Sequence, residues 1–136
     1  MLIDVTFPGG LKVDAQIAGH TVHTDQREQH GGGGTAPPPF DLFLASIATC
    51  MGFYALRFCQ QRNIDSTGLQ LSLETEKDPE TNMNTVNRTS LQLPPGYTNK
   101  TDHANTPKME KCTVKIHMME PPECVRVTGV LAGAGG

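Results

Sequence analysis

Four cysteines, Cys50, Cys59, Cys112 and Cys124, are the residues of this chain best suited to covalent chemistry. A thiolate is a nucleophile, a metal ligand and the start of the oxidation series that runs through sulfenic acid to disulfide. None of the four forms a Cys-x-x-Cys pair, so neither a zinc ribbon nor a thioredoxin-type motif is present. The histidines His20, His23, His30, His103 and His117 match no compact ligand spacing with them, and no metal or organic cofactor is expected. Thiol redox chemistry is what remains. A thiolate that attacks a peroxide O–O bond displaces an alkoxide and becomes a sulfenic acid, and a nearby second thiol condenses with it to a disulfide. The two cysteines must be close in space, however far apart in sequence. The attacking thiol also needs a cation or hydrogen-bond donors to lower its pKa.

Composition narrows the setting. A chain of 136 residues has room for one domain, and 1–136 reads as a single one. Eleven basic against 14 acidic residues, net −3, argue against nucleic acid as a partner. Aromatic residues are 5% with no Trp, which argues against a stacking surface for bases or sugars. The first residues, Met1-Leu2-Ile3-Asp4-Val5-Thr6-Phe7-Pro8, lack the basic and apolar regions of a signal peptide. The expected compartment is therefore the cytoplasm, where thiols stay reduced.

The elements that must position the thiols follow from periodicity. Residues 2–7 and 11–17 alternate as strands around Pro8-Gly9-Gly10, and Gly19-His20 turns the chain into a short return strand at 21–24. Residues 26–39, with four glycines and then three prolines, are expected to hold no regular structure: a flexible linker, or a mobile loop over a site. Residues 40–63 form an apolar helix with prolines just before it, Asp41 in its first turn and Asn63 at its stop. Its length would span a membrane, but Asp41, Ser46, Thr49, Gly52 and Arg57 argue against one. A helix apolar nearly all round must be buried nearly all round. A chain this short cannot wrap it alone, so a partner subunit is expected to supply part of the cover. Residues 69–77 and 84–93 make a hairpin, and 98–119 a second helical region interrupted at Thr106-Pro107. A last strand at 124–130 and a frayed tail at 132–136 complete the α+β reading.

At this point the chain resembles a known family. The stretch Thr35-Ala36-Pro37-Pro38-Pro39-Phe40-Asp41-Leu42-Phe43-Leu44-Ala45-Ser46-Ile47-Ala48-Thr49-Cys50 looks like the segment leading into the first cysteine of the OsmC/Ohr family, the osmotically inducible protein C and organic hydroperoxide resistance proteins. Lys111-Cys112-Thr113-Val114-Lys115-Ile116-His117, followed by Glu120-Pro121-Pro122-Glu123, is similar to the region around the family's second cysteine. With the order of elements, the resemblance covers nearly the whole chain. It implies an intertwined homodimer with antiparallel sheets wrapped around central buried helices. It implies a thiol peroxidase for organic hydroperoxides, with Cys50 peroxidatic and Cys112 resolving, re-reduced by an external dithiol or lipoyl-type reductant.

The resemblance also implies an arginine over the attacking thiolate, held by a carboxylate at the helix start. Asp41 falls at the acidic position, one methylene shorter than the usual Glu. The early strands carry Lys12 but no arginine, so Arg27, just before the glycine run, is the nearest candidate. Cys59 and Cys124 then read as packing residues. Phe43, Met51 and Phe53 are candidates for an apolar wall that would favour bulky peroxides. The rival reading keeps the fold without the peroxidase: a small apolar ligand bound between subunits, or a thiol sensor of redox state.

Overall fold

The computed structural model describes residues 1–95 and 111–125. An antiparallel sheet comes first, β1 (Ile3–Gly9), β2 (Lys12–Ile17) and β3 (His20–Thr24), in the order β1-β2-β3. A 3-10 turn (Glu28–His30) leads to the helix α1 (Pro39–Gln61). A second antiparallel hairpin, β4 (Gln70–Lys77) and β5 (Asn84–Gln92), is followed by the short helix α2 (Thr113–Met119). The α+β architecture expected from periodicity is the one found. The proposed break at Thr106-Pro107, residues 126–130 of the last strand and the tail at 132–136 lie outside the described residues. Cys124 and Val125 carry no regular structure.

Local chemistry sets the ends of α1. Pro38 is extended at the N-cap, and Pro39 occupies the first helical position, where a missing N–H costs nothing. At the other end Asn63 adopts φ 54°, the Ile64 N–H reaches the Cys59 carbonyl at 2.9 Å, and the Asn63 N–H reaches Gln60 at 3.3 Å. This is a Schellman stop with asparagine in the left-handed position.

The hairpin β4–β5 supplies one wall against α1. Leu71, Leu73 and Thr75 alternate as the half-buried face of β4. Leu71 and Leu91 meet Gly52, Ala55 and Leu56 of α1, and the Thr89 hydroxyl lies 3.6 Å from the Met51 sulfur. Asp78 closes the hairpin by accepting from the Glu80 and Thr81 N–H groups at 2.8 and 3.0 Å.

Within one chain α1 is covered only in part, as a chain too short to wrap it alone must leave it. Only Ile47, Ala55, Phe58 and Cys59 of the helix are buried, while Phe40, Phe43, Phe53 and Leu56 stand exposed. The β1–β3 sheet likewise leaves Ile3, Val5, Phe7 and Leu11 open. One hairpin and one short helix cannot surround 23 residues of apolar helix. By length and composition α1 could also cross a membrane, but here it packs against β4 and α2.

Residues 26–39 also differ from expectation. The Asp25 carboxylate is buried and gathers the segment around itself. One oxygen accepts the Gln26 N–H at 2.8 Å; the other accepts the Gly33 N–H (3.2 Å), the Thr35 N–H (3.1 Å) and the Thr35 hydroxyl (2.8 Å). Backbone bonds from Gly32 to Arg27 and from Gly34 to Gln26 complete a closed turn. At Gly32 an added Cβ would lie 2.0 Å from the Gln26 carbonyl oxygen, so the glycine is required by close approach rather than by mobility. The sequence shows the glycines but not the buried acid that collects their N–H groups.

Two outcomes test this turn. Gly32→Ala should destabilise the protein by about 2 kcal/mol in denaturant unfolding, as expected for forced overlap. Asp25 is held below the ordinary carboxylate value, above all by the Thr35 N–H and hydroxyl and against the opposing effect of burial. A carboxylate depressed on folding contributes stability that is complete above its unfolded value near 3.8 and is lost as pH falls through the folded one. Thermal unfolding followed from pH 7 to pH 2 should show that loss in the wild type and a shallower acid dependence in Asp25→Asn.

Candidate functional site

The N-terminus of α2 meets α1 at Cys50. Cys50 lies mid-helix and is partly accessible; Cys112, the N-cap of α2, is fully buried. Both are free thiols. The groups that act on the Cys50 thiol are the Cys112 thiol and the backbone N–H groups of Val114 and Thr113. These belong to the first turn of α2, whose N–H groups have no partner within the helix. Cys112 occupies the N-cap of α2 without capping it through its side chain.

Opposing influences set the two thiols apart. Burial pushes the Cys50 pKa up and is the largest single influence on it, but the Cys112 thiol and the Val114 and Thr113 N–H groups together bring it below the ordinary thiol value. Cys112 moves the other way. Burial raises it, and its hydrogen bond to Cys50 and the charge there raise it further. The outcome is one thiol favoured as thiolate beside one kept protonated, the division of labour that attack and later condensation require.

Arg27 and Asp41 are also brought together, but elsewhere. The Arg27 guanidinium donates to the Asp41 carboxylate at 2.8 Å across the start of α1. Asp41 precedes Cys50 by nine residues, roughly 13 Å along a helix. Arg27 is not among the groups that shift the Cys50 thiol. The carboxylate–arginine pair thus has the expected partners, while the sulfur is stabilised by donors of a different kind.

The apolar wall is divided. A groove of 580 Å³ beside the Cys50–α2 contact is lined by Phe43, Thr113, Val114, His117, Met118 and Pro121. Phe43 lies two helical turns before Cys50 and so shares its face. Met51 faces β5 instead, and Phe53 lines a different cavity. Cys59 is buried, as a packing residue would be, but Cys124 is exposed, because the chain after Pro121-Pro122 leaves it against solvent. Among the described residues no three His, Cys, Asp or Glu side chains converge as metal ligands. Sequence reasoning missed the Val114 and Thr113 donors because a backbone N–H has no residue-type signature; a cysteine just before a helix start was the available signal.

The sequence profile of the OsmC-like proteins matches residues 31–124, which spans the Asp25-bound turn from Gly31, α1 with Cys50, the hairpin and α2 with Cys112. The chain belongs to the OsmC-like protein family. Solved structures share the OsmC-like fold at low identity. One, described as an osmotic stress induced and detoxification response protein from Psychrobacter arcticus 273-4, superposes with a TM-score of 0.72 at 21% identity, over 84% of this chain and 85% of its own. Another, an organic hydroperoxide resistance protein OsmC from Legionella pneumophila also described as a redox protein and regulator of sulfide bond formation, gives a TM-score of 0.54 at 16% identity, over 86% and 87%. No curated protein sequence matches the chain.

The donors on Cys50 can be removed one at a time. Cys112 has φ −55° and ψ 118°, a conformation that tolerates a following proline, and Thr113 is the first helical position, where proline is well accepted. Thr113→Pro should therefore delete one N–H to Cys50 while keeping α2. The pH dependence of iodoacetamide alkylation should move to higher pH in this variant, and also in Cys112→Ala.

Proposed function

We propose that this OsmC-like protein is a thiol-dependent organic hydroperoxide reductase, with Cys50 as the peroxidatic and Cys112 as the resolving cysteine. The observation that carries the proposal is the set of three donors, the Cys112 thiol and the Thr113 and Val114 N–H groups, on a partly accessible Cys50 sulfur. The Cys50 thiolate attacks the terminal peroxide oxygen. The O–O bond breaks, the alkoxide leaves and takes up a proton as an alcohol, and Cys50 becomes a sulfenic acid. The Cys112 sulfur then attacks the Cys50 sulfur, its proton leaves with the displaced hydroxide as water, and a disulfide forms. A dithiol, lipoyl-type or smaller, restores the thiols by two exchange steps and becomes a disulfide itself.

Environment supports the same reading. The 580 Å³ groove next to the sulfur is lined mainly by apolar groups and suits the organic half of a hydroperoxide better than water or hydrogen peroxide. The exposed Phe40 and Leu56 of α1 and the open apolar side chains of the β1–β3 sheet call for cover, and the proposal assigns that cover to a second copy of the chain. A cycle that ends in reduction by a dithiol suits a reducing compartment such as the cytoplasm.

One observation favours the second reading, a redox sensor or carrier of a small apolar ligand on the same fold. The early strands carry no arginine, and the acidic position holds Asp41, one methylene short of the Glu that the resemblance implies, so the guanidinium must come from Arg27 in the turn.

Stopped-flow oxidation by cumene hydroperoxide separates the readings. The reduced wild type should react at least about a hundredfold faster than free cysteine, which corresponds to under 3 kcal/mol of barrier. Cys50→Ser should lose the reaction. Cys112→Ser should keep the first oxidation but stop at sulfenic acid, detected by dimedone. A wild type no faster than free cysteine, with cumene binding retained, selects the second reading.

A further inference from the structure

We propose that the C-terminal half of α1 and the residue before Cys112 form a binding site for an organic carboxylate with a flat apolar body. The site is a cavity of 230 Å³ lined by Phe53, Tyr54, Arg57, Phe58, Gln61 and Lys111. Of the six described residues that line it, two are cations, three are aromatic and none is a carboxylate. That composition is unusual in a chain of net charge −3, where acids outnumber bases. The Arg57 guanidinium is aligned by the Gln60 side-chain oxygen at 3.3 Å. A guanidinium and an ammonium in one small concavity match a carboxylate, the first by paired N–H groups and the second as a point charge.

The walls specify the rest of the ligand. Phe53 and Tyr54 meet edge to face, with centroids 5.5 Å apart and an interplanar angle of 74°. Phe58 is fully buried behind them, and the Arg62 guanidinium lies 3.9 Å from its ring centroid. Two rings at that angle present one face and one edge to a third ring, an arrangement that aromatic groups prefer over parallel stacking. A phenyl ring carrying a short acidic arm therefore suits both halves of the cavity.

The position ties the cavity to the thiols. Phe53, Tyr54 and Arg57 follow Cys50 by three, four and seven residues, the spacing of one helix face. Lys111 is joined to Cys112. The apolar groove and the cationic cavity thus lie on opposite sides of the Cys50–Cys112 contact, the first from Phe43 onward and the second toward Arg57. A carboxylate held here stands about two helical turns, or some 10 Å, from the Cys50 sulfur. The proposal does not rest on the peroxidase reading, because binding can be measured without a peroxide.

The test is calorimetric titration of the reduced full-length protein with 3-phenylpropanoate and with its neutral amide, 3-phenylpropanamide. The carboxylate should bind saturably and the amide at least about tenfold more weakly, the expected worth of a charged hydrogen bond. Arg57→Gln and Lys111→Gln should each weaken the carboxylate by about tenfold, Arg57→Lys by less, and none should change the amide. Lys12→Gln removes the same charge from β2 and should leave the affinity unchanged. Equal binding of acid and amide, no saturable binding, or equal weakening by Lys12→Gln overturns the proposal. So does dissociation of an oligomer by Arg57→Gln without carboxylate binding to the wild type, since the cations would then face a second copy.

Discussion

The contact between the Cys50 sulfur and the first turn of α2 is the interaction on which the rest of the site depends. A short helix begins with N–H groups that have no partner of their own. A mid-helix thiol buried against apolar side chains has the opposite problem, since burial disfavours its charged form. Placing one against the other solves both. The N–H groups of Thr113 and Val114 find an acceptor, and the sulfur finds donors that do not need to be recruited from solvent. The same contact fixes where α2 crosses α1, and so where the groove lined by Phe43 and Met118 opens.

The consequence for electrostatics is a thiolate stabilised by fixed dipoles rather than by a mobile charge. Backbone N–H groups cannot swing away, and at a buried contact they are little screened by salt. At the start of the helix the Arg27 guanidinium and Asp41 close the turn built around Asp25. The two halves of the chain thus meet α1 at different places, the N-terminal turn at its start and α2 at its middle.

What could be read from the sequence, and what could not, follows from this division. Period-two alternation marked β2 and β4 within a residue or two, and the turn before it and the prolines after it bounded β5. Prolines and Asn63 marked the ends of α1, because they act through their own backbone geometry. Cys50 and Cys112 were found through motif and order. What brings them together, the N–H groups of α2, belongs to every residue type and is invisible in a string of letters. Composition reports what α1 needs covered, and one chain of this length buries only Ile47, Ala55, Phe58 and Cys59 of it. Cys124, read as packing because it follows Pro121-Pro122 in an expected strand and has no partner in the family pattern, is exposed in a stretch without regular structure.

The glycine run carries a lesson about tolerance to added length. By composition, residues 31–34 are where an engineer would insert a tag or a linker, since glycine-rich surface segments usually absorb extra residues at little cost. Here the spacing from Asp25 to Thr35 is metric: Gln26, Gly33 and Thr35 deliver N–H groups to the Asp25 carboxylate, and Gly32 passes within contact of Gln26. One added residue would put every later donor out of phase with the carboxylate. The exposed turn at 79–83, held by a single aspartate at its base, is the place where this fold can grow.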